Sequence, residues 1–122
     1  MAAIEINDKN FENNIKDNNI VLLDFWATWC APCRSFAPVF EAASEQHTDI
    51  IFGKINTEEQ EELAAQFQIR SIPTLMIFRE EIIIFSQAGS LPAPALEDVI
   101  QKVKALDMDV VRKEIETQQE SA

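Results

Sequence analysis

Residues 20–33 read Ile20-Val21-Leu22-Leu23-Asp24-Phe25-Trp26-Ala27-Thr28-Trp29-Cys30-Ala31-Pro32-Cys33. Ile20–Trp26 is apolar except for Asp24, and a nearly unbroken apolar run of this length marks a strand covered on both faces. From Ala31 to about His47 the pattern turns helical. Phe36, Val39, Phe40 and Ala43 form its apolar stripe, and Pro38 interrupts its hydrogen-bond ladder. A buried strand running directly into a helix is the opening of an α/β unit. Both cysteines of the chain stand at that junction.

Upstream, Ala3–Ile6 is a short strand candidate, and Asp8 is placed to cap a helix to about Asp17, with Phe11 and Ile15 on one face. Downstream, Ile50–Ile55 reads as a second buried strand. Thr57 and Gln60 form a capping-box pattern for a short helix through Phe67, and the acidic run Glu58–Glu62 suits its start. Thr74–Phe78 and Ile82–Phe85 are strands close enough to form a hairpin. Pro94 to about Leu106 is a helix with Leu96, Val99, Ile100 and Val103 inward. The order β-α-β-α-β-α-β-β-α predicts an α/β fold, a central mixed β-sheet flanked by α-helices on both faces.

The chain has 122 residues, 47% of them hydrophobic, which fits one globular domain and argues against wholesale disorder. No apolar stretch approaches the ~18 residues of a membrane span, and Met1–Asn7 lacks the basic start and apolar core of a signal peptide. A cytoplasmic protein is therefore expected. Ten basic against 21 acidic residues give a net charge of −11. Such a surface repels a nucleic-acid backbone and an anionic membrane, so neither is expected as a partner.

Cys30-Ala31-Pro32-Cys33 follows a buried strand and opens a helix, where a Cys-x-x-Cys pair reads as a redox dithiol. Unpaired N–H groups and the positive dipole end at a helix start favour a thiolate on Cys30, and the thiolate is what attacks a disulfide. Cys33, one turn on, is placed to resolve the mixed disulfide. Pro32 fits a first turn, where its missing N–H is not needed. Three other readings compete. A structural disulfide closes so short a loop that it restrains the unfolded chain by only roughly 2 kcal/mol. A zinc site needs about four ligands, and one His beside two Cys is too few, so no metal is expected. An inert buried pair fits the helix start poorly.

Asp24 inside the apolar run should lose hydration and have a raised pKa, which suits a proton carrier; the alternative is a strand-end or structurally paired carboxylate. Lys54 on the next strand is the candidate neighbour that tunes it. Trp29 sits on the connection, where an exposed ring suits a contact role, whereas Trp26 reads as core. Arg34 is either a support for the thiolate or a solvated helix residue. Ile72-Pro73 is a candidate cis bond entering a strand, and His47 near a helix end reads as a comfortable cation.

Asp24-Phe25-Trp26-Ala27-Thr28-Trp29-Cys30-Ala31-Pro32-Cys33, with Pro38, Ile72-Pro73-Thr74 and Ala88-Gly89, resembles the thioredoxin family from about Ile4 to Leu106. The resemblance implies the thioredoxin fold and a protein-disulfide reductase without a cofactor of its own. Cys30 would be the attacking thiol, Cys33 the resolving one and Asp24 the proton carrier. Pro73 would be the family's cis-proline. Trp29, Ala31, Pro32, Ile72, Pro73, Ala88 and Gly89 would bind substrate, with Lys54 and Trp26 supporting. Partners implied are disulfide-containing proteins and a flavoprotein thioredoxin reductase that uses FAD and NADPH.

This sequence departs from the family in three places. Ala31 replaces the usual Gly between the cysteines. The hairpin Arg79-Glu80-Glu81-Ile82 lacks the family's Gly, although two-residue hairpin turns want positive φ. Ile82-Ile83-Ile84-Phe85 is apolar for a strand the family places at a sheet edge, which adds weak self-association to an otherwise monomeric expectation. Residues 1–106 are read as the thioredoxin domain and 107–122 as a C-terminal extension, a short helix on Met108, Val111 and Ile115 or a frayed tail. Two other functions remain open at this point: a thiol oxidase or isomerase, and a binding module with a dispensable dithiol.

Overall fold

The computed structural model describes residues 2–121, as β1 (Ala3–Glu5), α1 (Phe11–Asp17), β2 (Ile20–Trp26), α2 (Ala31–Gln46), β3 (Ile51–Asn56), α3 (Glu61–Gln66), β4 (Thr74–Arg79), β5 (Ile82–Ala88), α4 (Ala93–Lys104) and α5 (Met108–Ser121). The strands form one mixed sheet in the order β1-β3-β2-β4-β5. β1 and β2 run parallel to β3, while β4 is antiparallel to β2 and β5 to β4.

The central place of β2 follows from its sequence. Side chains alternate along a strand, so an apolar run needs cover on both faces. Leu22 faces a core made with Phe36 and Phe40 of α2 and Leu96 and Ile100 of α4. Val21, Leu23 and Phe25 face the other core, with Ile15 of α1 and the half-buried Phe11 and Phe67. By the same alternation Asp24 shares the face of Leu22, toward α2. Gly53 makes a close approach possible, because a Cβ there would lie 2.5 Å from Ile6 Cγ1. α2 runs through Pro38 without a break in the helix.

Both cap expectations need correction. Asp8 does not cap α1, which begins at Phe11. Instead Asn7 Oδ1 accepts hydrogen bonds from the N–H groups of Lys9 (2.9 Å) and Asn10 (3.0 Å) and organises an intervening turn. Thr57 and Gln60 form no capping box, because tertiary partners claim both side chains. The Thr57 hydroxyl donates to the Trp26 carbonyl (3.1 Å), and Gln60 Oε1 accepts from the Asp8 N–H (3.2 Å), so α3 starts only at Glu61.

The glycine-free hairpin is made by putting Glu80 (φ 51°) and Glu81 (φ 68°) both in the left-handed region. Its neighbours hold it there: the Glu80 N–H donates to Asn19 O (2.8 Å), and Arg112 of α5 pairs with the Glu80 carboxylate. A left-handed non-glycine residue costs about 1–2 kcal/mol, offset in part by glycine's larger unfolded-state entropy. Glu81→Gly is therefore expected to raise unfolding stability by about 1 kcal/mol, and urea denaturation checks it. An unchanged or lower midpoint would show that Glu81 is not strained.

The apolar edge strand has a structural reason. The β4–β5 register shifts between Ile77 and Phe78, skipping Ile84, and Ile84 and Phe85 both pack on the α2/α4 core. Ile83 is left as the exposed one of the four. Arg79 Nη1 donates to the carbonyls of Val103 (2.7 Å) and Leu106 (2.8 Å), tying the end of β4 to the chain at and just past the end of α4. α5 then sets Met108 in the interior, with Val111 and Ile115 half-buried.

Candidate active site at the end of the central strand

The carboxyl end of β2 delivers the segment 27–30 to the start of α2. Cys30 is the N-cap residue, with extended backbone (φ −92°, ψ 110°), and its sulfur accepts the Cys33 N–H at 3.2 Å. That is the bond a Ser or Asp side chain makes at other helix starts. Cys30 and Cys33 are joined as a disulfide with Cα atoms 5.2 Å apart, and both are 3% exposed. Pro32 lies in the first turn, exposed beside Ala31. In the reduced form the same N–H and the helix dipole favour negative charge on Cys30 Sγ.

The loop before β4 closes the other side. Ile72–Pro73 is a cis peptide bond, and Cys30 Sγ lies 3.6 Å from Ile72 O. Ile72 and Trp26 pack against the cluster of Ala27, Cys30 and Cys33. The Gly89 N–H donates to Pro73 O (2.8 Å), tying the end of β5 to this loop. Gly89 has φ 103°, and a Cβ there would meet nothing within 4 Å. Its glycine is required by backbone conformation, and the space above it is open. Ala88 is exposed, and Trp29 is 68% exposed.

Asp24, on the strand that leads into the dithiol, is fully buried, and neither carboxylate oxygen has a hydrogen-bond partner among the described residues. Burial pushes its pKa up to about 7, against the opposing pull of Lys54. Lys54 is its register partner on β3, and its ammonium sits 5.0 Å from the Trp26 ring centroid. Trp26 is half-buried, with its indole N–H enclosed and unpartnered.

One arrangement has no signal in the sequence. Glu58 Oε1 accepts both the N–H (3.1 Å) and the hydroxyl (2.8 Å) of Thr28, and Arg34 Nη1 donates to Thr28 O (3.0 Å). Thr28 and Glu58 are thirty residues apart, so only the fold brings them together. Arg34 thus rests on the carbonyl just before Trp29. His47 is buried at the end of α2, with Nε2 2.7 Å from Glu97 and Nδ1 3.1 Å from the Lys104 ammonium. Among the described residues, no group of three or more His, Cys, Asp or Glu is gathered as a metal site would need, and no helix is long and apolar enough to cross a membrane.

Comparison with known proteins matches residues 2–119 to the family described as Thioredoxin. The protein named "Putative thioredoxin 2" from Streptomyces coelicolor is 51% identical over 121 residues, covering 99% of this chain and 90% of its own. "Thioredoxin 1" from a Nostoc species is 40% identical over 103 residues, covering 83% and 96%. Among solved structures, a mutant thioredoxin from Halobacterium salinarum superposes with a TM-score of 0.80 at 32% identity, over 86% of this chain and 93% of that one.

Proposed function

The chain belongs to the thioredoxin family, and we propose that this thiol–disulfide oxidoreductase works as a protein-disulfide reductase, recycled by an NADPH-dependent thioredoxin reductase. The observation that carries the reading is the Cys30–Cys33 pair at the start of α2, with the exposed Trp29, Ala31 and Pro32 beside it and the buried Asp24 on the strand that leads into it.

In this reading the Cys30 thiolate attacks one sulfur of a target disulfide. The Cys30–target bond forms, the target's own S–S bond breaks, and the leaving thiolate takes up a proton. Asp24, with a pKa near the working pH, accepts the Cys33 proton through water. Cys33 then attacks Cys30 Sγ, releases the reduced target and closes the intramolecular disulfide. Two electrons leave the dithiol, and the reductase's FAD and NADPH restore them. Trp29, Ala31, Pro32, Ile72, Pro73, Ala88 and Gly89 form the face on which the target segment docks. The protein works as a monomer in the cytoplasm, where the dithiol stays reduced, and any self-association through Ile83 of β5 is weak.

The deciding experiment is the reduction potential of Cys30–Cys33 in dithiol/disulfide buffers, read by the fluorescence of Trp26 and Trp29. A value near about −270 mV, that of a reductase, is expected. A value near about −120 mV would mark an oxidant and reverse the direction of electron flow.

A further inference from the structure

Three segments frame the dithiol: residues 27–35, the cis-proline loop 68–74, and 86–92 at the end of β5, which the Gly89–Pro73 hydrogen bond joins to that loop. Together they hold Arg34 and Arg70 and no Asp or Glu, in a chain with 21 acids. Elsewhere carboxylates occupy much of the basic charge. Lys16 pairs with Glu12, Lys102 with Asp98, Lys104 with Asp49, and Arg112 with Glu80 and Asp109. Arg34 and Arg70 are both exposed and have no carboxylate partner among the described residues.

Each belongs to a segment that meets the reacting sulfur's surroundings. Arg34 is anchored on Thr28 O beside Trp29, and Arg70 lies two residues before Ile72, whose carbonyl is 3.6 Å from Cys30 Sγ. The nearby acid, Glu58, has one carboxylate oxygen engaged by two Thr28 donors. A cationic rim on one face of an otherwise acidic molecule attracts a negatively charged segment there and repels it elsewhere. Such charge complementarity sets encounter rate and orientation.

We propose that this rim selects target disulfides set in acidic sequence, with Arg34 and Arg70 as its specificity-determining residues. The inference rests on the reductase reading and adds its substrate class.

The test uses three otherwise identical disulfide peptides whose cysteines are flanked by acidic, neutral or basic residues. Their single-turnover reduction by the pre-reduced protein is followed at low and high salt. Wild type is expected to reduce the acidic peptide about three- to tenfold faster than the neutral one at low salt, as two exposed ion pairs would allow. High salt should draw that ratio toward one. In the Arg34→Gln/Arg70→Gln variant the acidic peptide should become the slowest, because the acidic body then acts alone. Each ratio is taken within one protein, so a general loss of rate cancels. A wild-type preference for the basic peptide, or an acidic preference that survives in the variant, would overturn the proposal. Failure of wild type to reduce even the neutral peptide would remove the reductase reading, and this inference with it.

Discussion

Replacing Cys30 with Ser is expected to bring insulin-disulfide reduction down to the uncatalysed background. Serine keeps the N-cap hydrogen bond to the Cys33 N–H, so the helix start survives. Its hydroxyl, however, is not a nucleophile toward sulfur at neutral pH, whereas a cysteine at a helix start is. Cys33 cannot take over the attack: it sits inside the first turn of α2 rather than at the N-cap, so it lacks the N–H donor and the dipole position that favour a thiolate on Cys30. Cys33→Ser should behave differently, attacking once and then accumulating as a mixed disulfide that mass spectrometry detects. Stability gives an independent check. Oxidised wild type should exceed Cys30→Ser by roughly 2 kcal/mol, the loop-closure effect of so short a disulfide, whereas reduced wild type should lie close to it. Insulin reduction retained by Cys30→Ser would refute the role given to that thiol.

The parts legible in sequence are those whose signal is local or two-sided. Ile20–Trp26 declares itself as the central strand because burial on both faces leaves no polar alternation to misread. Cys30 announces a helix start through Pro32 and the stripe beginning at Phe36. The caps of α1 and α3 are not legible in this way, because Asp8, Thr57 and Gln60 carry the right chemistry but are engaged by partners distant in sequence. Glu80 and Glu81 adopt a glycine conformation that no local propensity would assign, held in part by Arg112 from the end of the chain. The same holds at the site. Asp24 is visible as a polar residue in an apolar run, whereas the Thr28–Glu58–Arg34 bracket depends on how β2, α2 and the loop after β3 meet.

Asp24 should make this protein less stable as the pH rises, opposite to the trend of a salt-bridged carboxylate. Its folded pKa is raised from 3.8 to about 7, so between those values the native state holds a proton that the unfolded chain releases. The resulting stabilisation is fully present below about pH 4 and is lost as pH rises through about 7. At 1.36 kcal/mol per unit, the span amounts to up to about 4 kcal/mol. Asp24→Asn keeps the shape and removes the titration. Subtracting the two proteins' stabilities at each pH cancels the other carboxylates. The difference should be small near pH 4 and reach about 4 kcal/mol in favour of the asparagine variant by pH 8. Lys54→Met should move the wild-type transition to higher pH, because the ammonium is what holds the Asp24 pKa down. A flat difference curve would mean that Asp24 is ionised at low pH despite its burial. In the reductase reading the same Asp24→Asn substitution slows resolution by Cys33 while sparing the first attack by Cys30, so mixed disulfide accumulates more in the variant than in wild type. A buried, unpartnered carboxylate that costs stability at neutral pH is what a proton acceptor for an equally buried thiol requires, since a solvated one would titrate too low to take the proton.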